Sequence, residues 1–428
     1  MATGSLTAGK IAEVLFENAL ETYEHQDMLL RQVSFFEPDG GDMQNAGNVV
    51  WRPVQQHAPI IPGWDLTGLE TGIIEETYPA LLGTPNNDFV SQRADDMRDM
   101  SFWKRRGIES GKQQATNLNK AIANAIAVQG SMFYRSNATS GYSFIAEAQA
   151  LMNERQGKMT ERTFILNDRD NLKFGNDLAG RQTLQGRPEE TWATGQIGAN
   201  VAEFDVFVGS YLPNIVGGAD PATTVTANQS FAPTAGAVNT TTGAVTNVDY
   251  RTATIPVTAS ASYNVGDKIT FANAAVPVMA VGLADKSNTG VAMTFTVIDK
   301  PTGTSITVYP KPIALDDPGL TTLQKAYANV DTRILSAATV NRVNIDASKK
   351  TNLFFDKDAV EVLGGNIPAN LFREFDGFKV INSTMKNGQK MYMVYDGQLN
   401  DMSLRYRLFT WWGITIKDPS RCGVAVTY

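Results

Sequence analysis

Apolar side chains recur every three or four residues between positions 6 and 33, and this spacing predicts an amphipathic helix. The apolar side of the helix carries Ile11, Val14, Leu15 and Ala19. The opposite side carries Glu13, Glu17, Glu21 and Glu24. Because an α-helix turns by about 100° per residue, the four glutamates lie within an arc of about 80°. This stripe is either an ordinary solvated face or a surface that binds a basic partner.

Residues 48–82 alternate β-branched and polar side chains on both sides of a turn-like tip, PIIPGWDLTG. The pattern predicts a long two-stranded hairpin that extends away from the body of the protein. An isolated hairpin is marginally stable in water. A hairpin that carries Trp51 and Trp64 is therefore expected to lie against another surface.

A second apolar stripe predicts a long helix from about residue 99 to residue 129. The stripe consists of Ile108, Gly111, Ala115, Leu118, Ile122 and Ile126. Gly130 provides a stop signal. Further along, a helix is predicted at 142–157. A strand is predicted at RTFILND, which begins at Arg162, and another helix is predicted after it. Helices and short strands that alternate in this way are typical of a mixed α/β body.

Near residue 220 the composition changes to Thr, Ala, Val, Gly and Asn, and helical spacing stops. Five short strands are predicted here, at 252–259, 267–273, 277–283, 291–299 and 304–310. The run NTTTGAVTN (239–247) is predicted to be an exposed loop. The strand spacing indicates a small closed or nearly closed β domain. The mixed pattern resumes at NLFFDKDAVEVLGG, so we interpret the β domain as an insertion into one α/β domain.

The composition of the 428-residue chain is that of a folded protein, with 43% hydrophobic and 19% charged residues. Its 37 basic and 44 acidic residues give a net charge of −7. An acidic chain is a poor candidate for dedicated nucleic-acid binding. The single cysteine, Cys422, has no partner for an internal disulfide, as expected in a reducing compartment.

The sequence carries no signal for secretion or membrane insertion. Glu13 and Glu17 interrupt the apolar residues at the N-terminus, which therefore does not match a secretory signal. The longest uncharged apolar stretches, such as 272–284, are too short to span a bilayer. We expect a soluble product that is intracellular at synthesis.

Common catalytic and cofactor motifs do not occur in the sequence. GxxxxGK[ST], strand-linked GxGxxG, HExxH, paired CxxC and GxSxG are all missing. The two histidines, His25 and His57, are far apart in sequence and are interpreted as solvated or hydrogen-bonded side chains. No cofactor and no metal site is predicted.

Charge of both signs is concentrated in residues 87–107, NDFVSQRADDMRDMSFWKRRG. Its acidic side chains are Asp88, Asp95, Asp96 and Asp99, and its basic side chains are Arg93, Arg98, Lys104, Arg105 and Arg106. Two of the carboxylates are candidates for the acid and base of a glycosidase-type hydrolase. However, a general acid needs a raised pKa, and cationic neighbours keep carboxylates ionised.

Ion pairing explains this segment better than catalysis. Asp95 and Arg98 have the i,i+3 spacing of a helical pair, and acids that precede bases match the dipole of the following helix. Exposed pairs contribute about 0–1 kcal/mol each, which suits many weak contacts between identical subunits. A self-assembling structural protein is the main hypothesis. A hydrolase with a β accessory domain, and an adhesin or carbohydrate-binding module that would need a secretion route, are the alternatives.

Three stretches resemble the major capsid (coat) protein of P22-like short-tailed bacteriophages. They are NVVWRPVQQHAPIIPGWDLTG (48–68), NDFVSQRADDMRD (87–99) with its basic block, and PKPIALDDPGLTTLQKAYANVDT (310–332). The resemblance covers most of the chain in the same order. It is strongest over 47–107 and 307–332 and weak over 230–250.

The resemblance implies an α+β fold of the HK97-like capsid type with an inserted small β-barrel. The implied parts are an N-terminal arm (1–47), an extended loop hairpin (48–82), a peripheral domain with a spine helix (83–135), an axial and peripheral α/β body in two parts (136–221 and 333–428) and the barrel (222–332).

By resemblance, the chain is a non-enzymatic virion protein that forms the hexamers and pentamers of an icosahedral procapsid. Its expected partners are itself, a scaffolding protein, a portal protein and packaged double-stranded DNA, with assembly in the host cytoplasm and expansion on packaging. Contact with DNA is expected to be weak and non-specific, because a shell that held phosphate tightly would stall the moving DNA.

Two sets of residues are candidates for contacts. The subunit-interface set is Trp64, Asp65, Arg93, Asp95, Asp96, Arg98 and Asp99. The scaffold-contact set is Glu13, Glu17, Glu21 and Glu24. In the family, a loop of the inserted domain forms charged contacts across two-fold axes. Here 239–247 is uncharged and only Asp249 and Arg251 lie near it, so those contacts are not carried over.

Overall fold

The computed structural model describes residues 8–38, 47–54, 56–65, 67–68, 70–93, 99–137, 141–155, 161–172, 196–216, 222–238, 240–344, 349–367, 379–398 and 402–427. The chain forms two compact units. Unit 1 contains Met1–Val50, Ala80–Ile122 and Glu361–Thr415. Unit 2 contains Trp51–Pro79, Ala123–Val360 and Ile416–Tyr428.

The α-helices are α1 (Ala8–Gln26), α2 (Met100–Gln129), α3 (Gly141–Glu154) and α4 (Thr322–Lys325). Short 3-10 turns occur at Leu30–Gln32, Lys357–Ala359 and Pro419–Arg421. Helices were predicted at 99–129 and 142–157, and α2 and α3 lie there. The predicted N-terminal helix ends at Gln26 rather than at 33. The helix predicted after the RTFILND strand falls largely on residues outside the described part of the chain.

The strands before the barrel are β1 (Ser34–Phe36), β2 (Val49–Pro53), β3 (Thr77–Leu81), β4 (Asn86–Arg93), β5 (Met132–Ser136), β6 (Arg162–Leu166), β7 (Gln196–Val201), β8 (Phe204–Val208) and β9 (Asn214–Ile215). Those of the barrel region are β10 (Thr223–Thr224), β11 (Ala237–Val238), β12 (Val245–Thr246), β13 (Ala253–Pro256), β14 (Lys268–Asn273), β15 (Val276–Pro277), β16 (Met279–Val281), β17 (Asn288–Ala292), β18 (Phe295–Thr302), β19 (Ser305–Tyr309) and β20 (Thr339–Arg342).

The remaining strands are β21 (Lys349–Lys350), β22 (Asn352–Asp356), β23 (Val360–Gly364), β24 (Lys379–Thr384), β25 (Lys390–Gln398), β26 (Ser403–Thr410), β27 (Trp412–Ile416) and β28 (Cys422–Thr427). Together with the helices, they give the expected α+β fold class.

Unit 1 contains a four-stranded sheet in the order β24-β25-β26-β4. Strand β4 pairs antiparallel with β26 from Asn86 to Arg93, although the polar sequence NNDFVSQR gave no strand prediction. A smaller sheet has the order β1-β23-β27. Helix α1 contacts β25 and β26, so its apolar side packs on the sheet.

Helices α1 and α2 approach each other so closely in unit 1 that positions 107 and 111 of α2 require glycine. A Cβ on Gly107 would lie 2.5 Å from the carbonyl oxygen of Leu15, and one on Gly111 would lie 2.2 Å from that of Ala19. The apolar stripe of α2 begins with the buried Trp103 rather than with Ile108, which is exposed. The absence of side chains at 107 and 111 therefore lets the two backbones touch.

The α/β body of unit 2 is built on a six-stranded sheet, β5-β28-β22-β6-β8-β7. The pairs β28–β5 and β6–β8 are parallel, and β22 is antiparallel to both of its neighbours. Phenylalanines from α3 and three strands meet in its core, where the Phe164 ring lies 5.8 Å from Phe144, 5.7 Å from Phe204 and 6.2 Å from Phe354.

The inserted β domain, also in unit 2, is a closed barrel. Its strands follow the order β10-β20-β14-β18-β19-β13. Hydrogen bonds from Thr226 N to Pro256 O (3.1 Å) and from Thr258 N to Thr224 O (2.9 Å) join the two ends of this order. Because β20 belongs to the barrel, the domain extends past the predicted boundary at 332. The other predicted boundaries stay predictions.

The predicted long hairpin was wrong in its length. Strands β2 and β3 pair with each other, but between them the described residues of 54–76 contain no strand. The paired base carries Trp51, whereas the tip is an extended loop. We call residues 54–76 the extended loop.

Replacing Gly111 by alanine is expected to destabilise unit 1, because the new Cβ would lie 2.2 Å from the carbonyl oxygen of Ala19. Overpacking costs about 1–3 kcal/mol, which outweighs the gain of up to about 1 kcal/mol in helix propensity. Urea unfolding should give a lower free energy of unfolding for Gly111→Ala. The control is Gly397→Ala in β25, where the added Cβ meets open space. A Gly111→Ala protein as stable as this control would contradict the close contact of α1 with α2.

Candidate assembly surfaces

The extended loop presents large apolar side chains to solvent. Trp64 is fully exposed, Ile60 is 93% exposed and Ile73 is 77% exposed. Exposed apolar groups that lie this close along one segment are typical of a protein–protein contact. A substrate-binding role would require Trp64 to lie in an enclosed cavity, whereas its side chain is fully exposed.

The extended loop is also acidic. Its charged residues are Asp65, Glu70, Glu75 and Glu76, and it contains no lysine or arginine. Asp65 accepts a hydrogen bond from the backbone N–H of Thr67 (3.0 Å). Bonds from the Thr67 side chain and backbone lower the pKa of Asp65, so this carboxylate stays ionised. The tip therefore combines a tryptophan with a neighbouring negative charge.

Asp99 serves as the N-terminal cap of α2. Its carboxylate accepts hydrogen bonds from the Ser101 backbone N–H (2.9 Å) and hydroxyl (2.6 Å). These bonds, more than the charge of Arg105, lower the pKa of Asp99. Arg105 lies 3.8 Å from the carboxylate and is largely exposed. A carboxylate that stabilises a helix end while ionised is not suited to act as a general acid.

Asp88 is held by a cation from α2. Arg106 Nη2 lies 2.5 Å from the Asp88 carboxylate, and Arg106 Nε donates to the Tyr406 hydroxyl (3.2 Å). The ion pair joins β4 to α2 and β26 within unit 1. Among the described residues, no second carboxylate is paired with Asp88 or Asp99.

Only part of the remaining interface set lies within the described residues. Arg93 is exposed at the end of β4, opposite Ser403 of β26. Asp95, Asp96 and Arg98 lie outside the described residues. The role of this set between subunits stays a prediction.

Helix α2 presents a basic surface to solvent. Lys104, Arg105, Lys112 and Lys120 are exposed, and Glu109 is the one acidic side chain between residues 100 and 129. With a rise of 1.5 Å per residue, these cations extend along about 24 Å of the helix. We call these four residues the basic surface of α2. Sequence reasoning treated this segment as one mixed charge network and missed the cationic surface.

The glutamate stripe on α1 is exposed at three of its four positions. Glu13, Glu17 and Glu21 face solvent. Glu24 is half-buried and forms an ion pair of 3.2 Å with Lys386, whose backbone N–H also donates to it (3.1 Å). Glu24 is therefore engaged within unit 1 and is not free for a partner in this conformation.

Lys268 joins the barrel to the end of α2 within unit 2. The fully buried ammonium group donates to the carbonyl oxygens of Ala127 (2.9 Å) and Gly130 and to the Thr296 hydroxyl (2.9 Å). The Thr296 hydroxyl in turn donates to Gly130 O (2.7 Å). Burial lowers the pKa of Lys268 to about 7, and the charge of Asp267 acts in the opposite direction. The last carbonyls of α2 thus receive donors from the barrel.

Two arginines extend this junction. Arg155, at the end of α3, is fully buried and donates to the Thr294 hydroxyl (3.3 Å) of the barrel. Burial lowers its pKa to about 10. Arg251 forms an ion pair of 2.9 Å with Asp249 and also donates to the carbonyl of Ile416. Asp249 and Arg251 are therefore paired with each other.

A cavity of about 490 Å³ lies in unit 2 at the base of the extended loop. Its lining includes His57, Glu76, Arg155 and Lys311. Burial raises the pKa of Glu76 to about 7, and the charge of Lys311 partly offsets this. Burial and the charge of Lys286 lower the pKa of His57. The polar groups that surround the loop base are thus partly desolvated.

Over the described residues, no group of three or more histidine, cysteine or acidic side chains is placed to hold a metal ion. No helix in the described part of the chain is both long and apolar enough to cross a membrane.

Comparison with known protein families gives a match over almost the whole chain. The family model described as P22 coat protein (gene protein 5) matches residues 1–427.

Solved structures give more distant matches. A Mycobacterium phage Che8 chain is 10% identical, with 90% of this chain and 87% of that chain covered and a TM-score of 0.42. A capsid chain of the cyanophage P-SCSP1u is 11% identical, with 93% and 86% covered and a TM-score of 0.42. The I-domain of the CUS-3 coat protein is 28% identical, with 30% of this chain and 99% of that one covered and a TM-score of 0.23.

Replacing Lys268 by methionine is expected to destabilise unit 2, because Ala127 O loses its buried donor while the methionine keeps most of the apolar volume. The loss should be about 2–4 kcal/mol in the free energy of unfolding, measured by urea denaturation. Lys350→Met, at an exposed position of unit 2, is the matched control and should change little. Equal stability of the two variants would show that the barrel junction does not depend on this ammonium group.

Proposed function

The chain belongs to the P22 coat protein family, and on this basis we propose that it is the major capsid protein. It assembles with a scaffolding protein into an icosahedral procapsid. The procapsid expands as double-stranded DNA is packaged. Membership in the family gives it the HK97-like capsid fold, here with the inserted barrel. The proposed partners are further copies in hexamers and pentamers, the scaffolding protein and the portal protein. Assembly takes place in the host cytoplasm.

The observation that carries the self-assembly proposal is the exposure of Trp64 at the tip of an acidic loop. Burial of one large apolar side chain stabilises a contact by about 1.5–3 kcal/mol. A monomer gains nothing from leaving Trp64, Ile60 and Ile73 in water. A neighbouring copy that covers them would recover this free energy.

Charge complementarity points to the surface that receives the loop. Asp65 and its acidic neighbours carry only negative charge, while the basic surface of α2 carries four cations. We assign the basic surface of α2 on one copy as the contact for the extended loop of another. Exposed ion pairs contribute about 0–1 kcal/mol each, so they would set register while the apolar groups supply affinity. Arg93, Asp95, Asp96, Arg98 and Asp99 remain proposed members of the subunit interface.

The exposed part of the α1 stripe, Glu13, Glu17 and Glu21, is the proposed contact for a basic segment of the scaffolding protein. Glu24 is removed from this set because Lys386 already pairs with it. Because the chain has a net charge of −7, its proposed contact with packaged DNA is weak and non-specific.

The alternative of a carboxylate-based hydrolase is less well supported. A general acid needs a raised pKa, whereas hydrogen bonds from Ser101 lower that of Asp99. Asp88 is engaged by Arg106. The described aspartates of the charged segment therefore have structural roles in helix capping and ion pairing.

Replacing Trp64 by alanine is expected to raise the critical concentration for assembly with scaffolding protein by about tenfold or more, because the main apolar anchor is lost. The free energy of unfolding of the monomer should stay the same, since the side chain is fully exposed. Light scattering and sedimentation measure the critical concentration, and urea denaturation measures the free energy of unfolding. Val276→Ala, at an exposed position of the barrel, serves as a control that leaves assembly unchanged. Normal assembly by Trp64→Ala would exclude the loop contact.

The double change Glu13→Lys and Glu17→Lys is expected to reduce the amount of scaffolding protein in assembled particles, because it reverses charge on the α1 stripe. Thermal unfolding of the monomer should not change, as both positions are exposed. Gel densitometry of purified particles gives the ratio of scaffold to coat. Particles with normal scaffold content would rule out this contact.

A further inference from the structure

Tyr327 contacts both ends of the extended loop. Its hydroxyl donates to the carbonyl oxygen of Ile74 (2.8 Å) and accepts from the backbone N–H of His57 (3.3 Å). Its ring lies edge-on to the His57 imidazole, with 5.0 Å between the ring centroids. One side chain therefore joins the outgoing end of the loop to the returning end.

Tyr327 is itself fixed by the inserted domain. It lies two residues after the end of α4, between β19 and β20, and packs in a cluster with Ile313, Leu320 and Ala328. Ile74 of the loop packs against the same cluster. The Tyr327 hydroxyl is protonated at neutral pH and acts as a donor, and burial raises its pKa further. The inserted domain thus holds the loop base through polar and apolar contacts.

Other hydrogen bonds close the base of the loop. Val54 N donates to Glu76 O (2.9 Å), and Tyr250 N donates to Thr77 O (3.1 Å). These bonds lie at the ends of the loop, where β2 ends and β3 begins. Tyr327 acts further out, at His57 and Ile74, where the described residues form no strand ladder.

We propose that Tyr327 is a positioning residue for assembly: it fixes the direction in which the extended loop leaves the inserted domain. A loop that is held in its binding direction before contact loses less conformational entropy when it binds. The inserted domain then contributes to assembly as the support of the loop, in addition to any contact that its own surface makes. This proposal rests on the proposed contact between the loop and a neighbouring copy.

Tyr327→Phe tests the proposal, because it keeps the ring and its packing but removes both hydrogen bonds. Hydrogen exchange on the unassembled, full-length protein should show about tenfold faster exchange at the His57 amide, because this N–H loses its acceptor, the Tyr327 hydroxyl. The critical concentration for assembly with scaffolding protein should rise several-fold. The matched control is Tyr134→Phe, which loses the bond to Phe144 O (2.7 Å) in the α/β body and should change neither quantity.

Thermal unfolding of both variants verifies that the proteins are folded. Unchanged exchange of the His57 amide in Tyr327→Phe would overturn the proposal whatever the assembly result. Faster exchange with unchanged assembly, while Trp64→Ala assembles poorly, would also overturn it and leave the proposed loop contact intact. If Trp64→Ala assembles normally, the loop contact fails, and with it the assembly role of Tyr327. Faster exchange together with impaired assembly in both variants supports the proposal.

Discussion

A buried ammonium group at the end of a helix organises unit 2. The last carbonyls of an α-helix lack partners within the helix, and they carry the negative end of its dipole. Lys268 of the barrel supplies donors to these oxygens at the end of α2. At the end of α3, the backbone N–H of Leu283 donates to the Arg155 carbonyl oxygen (3.2 Å), and the Arg155 side chain donates to the Thr294 hydroxyl of the barrel. The inserted domain is therefore part of the structure of the α/β body, since removing it would leave helix ends unsatisfied in an apolar environment.

The same inserted domain supports the most exposed part of the chain. The extended loop has no strand ladder among its described residues, yet it carries Trp64, Ile60 and Ile73 in water. Such a segment is unfavourable in a monomer and favourable in an assembly that covers it. Its position next to Tyr327 links the inserted domain to the surface that is proposed to join subunits.

Elements that have a local sequence pattern were predicted, whereas features that depend on partners far away in the sequence were missed. Helix α2 and the barrel strands follow from periodicity and turn residues. Strand β4 was missed because NNDFVSQR is polar and owes its pairing to β26, more than three hundred residues later. Lys268 is visible as a charge in an apolar strand, but periodicity cannot show that its partners come from residues 127–130. Glu24 was placed with the other glutamates because nothing local reveals Lys386.

The central claim is that the extended loop of one copy binds another copy. A photoreactive amino acid at position 64, in shells assembled from a mixture of isotopically light and heavy protein, tests this most directly. The predicted result is a set of mixed light–heavy cross-links from position 64 to residues 104–120. Cross-links confined to single chains, or attachment to the scaffolding protein alone, would contradict it.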